Sequence, residues 1–160
     1  SAGYLFFATH VVDDLDAPYT GFIPLAPVAP PSRPEDEYLE MADVLATDFT
    51  NCRLVVLSGC ASGAPAVYSG HGGSDLAGAF LDAGAWTVIR TAWQVRDDEA
   101  SQLMSDFIDR WKVEGQSPDR ALHEVRRTWM KGPRGYRHPL VWAAYSVERA
   151  EPPDELIAGP

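Results

Sequence analysis

Apolar residues in this chain fall into short continuous runs and longer periodic stretches, and the two kinds alternate. Residues 4–9, apolar and aromatic, predict a buried strand. Residues 54–57 form an unbroken branched or leucine run, which suits a parallel strand covered on both faces. Residues 86–92 predict a third strand and 140–147 a last one. Between them the period lengthens. Tyr38, Met41, Ala42 and Leu45 share one face of a short helix predicted over 37–45. Ser74 suits an N-cap for a helix carrying Leu76, Ala79, Phe80 and Ala83, closed by Gly84. Leu103, Met104, Phe107, Ile108 and Trp111 recur at helical spacing over 98–113. Gly115 ends that helix, and Ser117-Pro118 supplies an N-cap and first position for another. Its inner face is Ala121, Leu122, Val125 and Trp129, with Arg126 and Arg127 on the solvated side.

The remainder reads as loop. Residues 11–36 hold many Pro and Asp, with a short hairpin expected around 20–25. Residues 61–73 are rich in Gly, Ser and Ala, and 131–137 form a turn. Loops this long in a compact domain are usually functional or mobile. Strands alternating with helices predict an α/β fold, a doubly wound, mostly parallel sheet with helices on both faces. Residues 1–150 are expected to form one domain and 151–160 a Pro- and Glu-rich tail.

Composition narrows the function. The 160 residues carry a formal net charge of −10, which argues against nucleic acid or an anionic membrane as partner. No apolar stretch nears the roughly 20 residues that span a bilayer. With two cysteines and no signal-peptide pattern, a reducing cytoplasm is the expected location. Cys52 and Cys60 flank a strand, at about 3.3 Å per residue, and so are held apart. The four histidines, His10, His71, His123 and His138, are scattered, which leaves no zinc spacing. The GHGG run at 70–73 lacks the Lys-Ser/Thr of a phosphate loop.

Ligands of open α/β sheets collect beyond the carboxyl ends of the strands. Two strands here lead into reactive residues, the first into His10 and the second into Cys60. If the strands are parallel neighbours, both residues emerge at one edge. That is the arrangement a thiol–imidazole pair needs, since an imidazolium lowers a thiol pKa and supplies thiolate. On composition alone a lone cysteine in a strand is filler more often than nucleophile. The His-to-Cys spacing of 50 residues is close to that of caspases. Gly59, Ala61, Ser62 and Gly63 leave room for a substrate backbone and for N–H groups turned toward an oxyanion.

Several segments together resemble the CHAT domain, a caspase-like cysteine peptidase family. FFATH resembles its histidine strand and LVVLSGCASG its LSACETG-type cysteine motif. GSDLAGAFLDAGAWTVIRTAWQVRDDEASQLMSDF, SPDRALHEVRR and RHPLVWAAYSV resemble the segments that follow. The resemblance implies a caspase-like fold, cleavage of peptide bonds in a protein substrate through a thioester acyl-enzyme, and no metal or organic cofactor. Cys60 would be nucleophile and His10 general base and acid, with the backbone N–H groups of Val11 and Cys60 as oxyanion hole. Two residues depart from the family pattern. Val11 replaces the usual Gly after the histidine, and Ala61-Ser62 replaces Glu-Thr. Metacaspases that cut after basic residues carry Asp two positions before the nucleophile, where this chain has Ser58. Ser58, Ala61 and Asp97 are therefore the substrate-binding candidates, with Asp97 on the family's W-x-V-x-D aspartate. Trp93, Trp129 and Trp142 are expected in the core. The chain is expected to be the catalytic half of a longer protein, completed by an N-terminal half-domain and controlled by a regulatory domain or subunit. The rival readings are an inactive CHAT-like interaction scaffold, favoured by Val11, and an unrelated flavodoxin-like binding domain.

Overall fold

A computed structural model of the chain describes residues 3–9, 22–25, 37–58, 76–132 and 138–150. Its centre is a four-stranded sheet in the order β1-β4-β5-β6. β1 (Gly3–Phe7), β4 (Cys52–Leu57) and β5 (Thr87–Thr91) are parallel, and β6 (Tyr145–Arg149) joins antiparallel to β5. The sheet is thus mostly parallel, α/β and caspase-like as expected.

β4 shows why its sequence is uniformly apolar from Leu54 onward, past the exposed Arg53. Val55 and Leu57 point into one core, and Leu54 and Val56 into the other. With successive side chains on opposite faces, a strand buried on both sides has no position left for a polar residue. On the first face lie α1 (Met41–Leu45) and α2 (Leu76–Asp82), which contribute Met41, Val44, Ala79 and Phe80. On the second lie α3 (Asp97–Ile108), α4 (Pro118–Lys131) and the short α5 (Pro139–Trp142), contributing Leu103, Phe107, Leu122, Val125 and Val141. Gly84 ends α2 at φ +102°, where a Cβ would stand 2.9 Å from Thr50 Cγ2. Both the backbone conformation and the close approach demand glycine. After α3 the chain continues in a π-helical turn, Asp109–Val113. There Trp111 stacks on Phe107 and packs edge-on against Tyr4 of β1.

Several boundaries differ from expectation. Residues 37–45 do not form one helix: β3 (Tyr38–Glu40) pairs antiparallel with β2 (Phe22–Pro24), and α1 begins only at Met41. The hairpin expected around 20–25 is therefore a longer-range pairing. The last strand is preceded by α5, because Pro139 fits the first helical position and the His138 ring accepts a hydrogen bond from the Leu140 N–H. Arg126 is half-buried rather than solvated. Its guanidinium donates to the carbonyls of Trp142 and Tyr145, tying α4 to the α5–β6 turn, and burial pushes its pKa down. Trp129 is buried and Trp142 packs partly against the same core. Trp93 is exposed, and its indole N–H donates to Leu140 O.

Candidate active site

The two strands expected to deliver the reactive pair are hydrogen-bonded neighbours. They run parallel with Phe7 opposite Leu57. One further backbone bond, from the Ser58 N–H to the Phe7 carbonyl at 2.8 Å, fastens them beyond the ladder. The ends of β1 and β4 therefore reach the same edge of the sheet in step. His10 and Cys60 each follow the last paired residue of their strand by three positions. His10, Val11, Cys60 and Ala61 lie outside the described residues, as does His71.

At this same edge a cavity of about 400 Å³ opens between the carboxyl ends of β1, β4 and β5, the start of β6 and one flank of α3. Ser58 and Asp97 both line it, so the structure brings together two of the residues that the sequence singles out for substrate binding. Ser58 sits on the floor, where its hydroxyl shares a hydrogen bond of 3.2 Å with the Tyr145 hydroxyl. Tyr145 is fully buried, and burial raises its pKa above the ordinary phenol value, opposed by the bond to Ser58. Thr91, at the end of β5, is buried beside it. The walls are apolar: Phe6 from β1 and Val95, Met104 and Ile108 from the helix side. Phe6 and Ile108 are more than a third exposed and so mark the mouth.

Asp97 is the first residue of α3, and Asp98 and Glu99 follow in the same turn. Three carboxylates there complement the positive end of the helix dipole. Asp98 is paired with Arg96 through a bidentate contact that holds its pKa below the ordinary carboxylate value. Asp97 is solvent-exposed at the rim of the cavity.

The parallel pairing of β1 with β4 and the cavity beyond the strand ends match the expectation of two neighbouring strands with a ligand site past their carboxyl ends. The sequence model of the CHAT domain matches residues 1–149. The chain belongs to the CHAT-domain family. The match spans nearly the whole chain, so the fold is not a chance α/β pattern of the flavodoxin kind. No curated protein matches the sequence.

Within this CHAT domain the other cysteine is not a site. Cys52 is buried at the opposite end of β4 and donates to Leu54 O, and burial pushes its thiol pKa up, away from thiolate. Among the described residues no three His, Cys, Asp or Glu side chains gather where they could hold a metal ion. No helix of the described residues is long and apolar enough to cross a membrane. Reading the sequence missed Tyr145, which it placed inside the last strand without a role. The available signal was a phenol in an otherwise apolar segment, since a buried Tyr hydroxyl needs a partner.

Proposed function

We propose that this CHAT domain is a cysteine endopeptidase in which Cys60 is the nucleophile and His10 the general base and acid. The observation that carries the proposal is the parallel pairing of β1 with β4 through Phe7 and Leu57, extended by the Ser58–Phe7 bond. Two loops leaving adjacent strand ends at equal distances can bring a thiol and an imidazole to one carbonyl. His10 takes the proton from the Cys60 thiol, and the thiolate attacks the scissile carbonyl carbon. Negative charge on the carbonyl oxygen is met by the backbone N–H groups of Val11 and Cys60. Collapse of the tetrahedral intermediate breaks the C–N bond, and His10 protonates the departing amine. Water, deprotonated by His10, then attacks the thioester, releasing the carboxylic acid and restoring the thiol. The cavity lined by Ser58 and Asp97 receives a substrate side chain next to the reacting bond, with Ala61 beside the nucleophile shaping the approach.

A second chain segment or protein, an N-terminal half-domain or regulatory subunit, switches the activity. Among the described residues β1 is an edge strand of the sheet, with Tyr4 and Phe6 substantially exposed, which supports that reading. The test compares full-length protein with Cys60→Ala and His10→Ala variants by mapping the new protein N-termini each generates in extract. Cleavage by the wild type that falls on the order of a thousandfold or more in both variants is the expected result. Equal N-termini from all three overturn the proposal and leave the inactive scaffold, which Val11 in place of glycine favours.

A further inference from the structure

From the cavity at the sheet edge we infer that the substrate residue preceding the scissile bond carries an uncharged, apolar side chain of leucine or methionine size. The inference rests on the peptidase reading and names the substrate class of that same site. Three observations support it. The walls are mainly apolar, with Phe6, Val95, Met104 and Ile108 offering area that only an apolar guest removes from water, while the hydroxyls of Ser101 and Ser105 on α3 stay exposed to solvent. The floor hydroxyls of Ser58 and Tyr145 share a hydrogen bond of 3.2 Å, and Thr91 has a partner of its own. An apolar guest leaves these partners in place, so little hydrogen bonding is lost there.

The third observation is charge. Among the described lining residues there is no Lys, Arg or His, so an aspartate or glutamate side chain would lose hydration and meet no cation among them. The one carboxylate among them, Asp97, stands exposed at the rim, while the floor beneath is neutral. A lysine or arginine reaching inward would pass Asp97 and leave its charge against hydroxyls. Unpaired charge in such a place is disfavoured far more than an extra methylene is favoured.

The experiment uses full-length protein and three peptidyl acyloxymethyl ketones that differ only in the residue next to the reactive group: leucine, lysine or aspartate. Mass spectrometry follows the Cys60 adduct over time, and iodoacetamide labelling of Cys60 in native wild type and in His10→Ala is run in parallel. The leucine probe is expected to label at least about tenfold faster than the other two. Ser58→Asp, which puts a carboxylate on the floor, is expected to narrow the leucine-to-lysine ratio by about the same factor. A lysine or aspartate probe that labels as fast as the leucine probe overturns the inference and leaves the peptidase reading standing. If iodoacetamide labels Cys60 no faster than an ordinary thiol, with no change in His10→Ala, and no peptide probe reacts, the peptidase reading fails and the inference with it. The wild-type series decides the matter even if Ser58→Asp does not fold.

Discussion

The two faces of the sheet are built from similar amounts of apolar side chain and differ in where they put polar atoms. The face under α1 and α2 closes over aromatic and aliphatic residues, with Phe80 meeting both Phe7 and Phe49 at ring separations of 5.8 and 5.1 Å. Its one thiol, Cys52, is filler. The face under α3, α4 and α5 carries the indole of Trp129 donating to Asp106 at 2.7 Å, the guanidinium of Arg126 on backbone carbonyls, and the Ser58–Tyr145 pair. The cavity at the strand ends is lined mostly from this second side, with Phe7 the one described lining residue that packs on the first cluster. A closed apolar layer supplies stability; a layer that must stop short of the edge to leave room for a guest needs partnered polar groups where it stops.

Damage to each face should therefore look different. Phe80→Ala empties the middle of the closed face and is expected to cost about 3–5 kcal/mol in denaturant unfolding, with the ranking of peptide probes at Cys60 unchanged. If that ranking shifts as well, the faces are not separable. Trp129→Phe keeps most of the packing but removes the donor to a half-buried carboxylate, and should cost about 1–3 kcal/mol. Gln102 also reaches Asp106, at 3.5 Å, too long to replace the indole.

The smallest effect is the most selective. Tyr145 and Cys52 both have pKa values raised by burial, from ordinary values of 10.0 and 9.0. Each folded-state group holds its proton more tightly than in the unfolded chain. Each contribution is complete below the ordinary value and is lost as pH climbs toward the raised one. Stability should thus fall with rising pH, from about pH 9 for the closed face and about pH 10 for the cavity face. Cys52→Ala should remove the first decline and Tyr145→Phe the second, as read by urea unfolding between pH 8 and 11. Tyr145→Phe should cost about 1 kcal/mol at neutral pH, the Ser58 hydroxyl losing its partner.

How much of this was legible in the sequence follows from which interactions are local. β4 declared itself because burial on both faces allows only apolar residues, and α3 and α4 because each is long enough to repeat its period. β3 was read as helix because Tyr38, Met41, Ala42 and Leu45 happen to fall at helical spacing. What makes 38–40 a strand is Phe22–Pro24, far away in the chain, and no local window contains that partner. The direction of β6 was equally hidden, since apolar alternation does not say which way a strand runs. At the site, the shared edge was legible from two apolar runs, each leading toward a candidate residue, His10 or Cys60. The floor was not, since Ser58 and Tyr145 lie 87 positions apart and meet only through the order of strands.

The backbone bond from Ser58 to Phe7 has a mechanical consequence. It pins the two strand ends level, so that each arm starts from one point and His10 and Cys60 both stand three residues past the last pair in the sequence. One residue added to either arm adds about 3.3 Å of contour, more than the length of a hydrogen bond, and turns the following side chains over. In the peptidase reading, the number of residues between each strand and its reactive side chain is thereby tied to the fold itself.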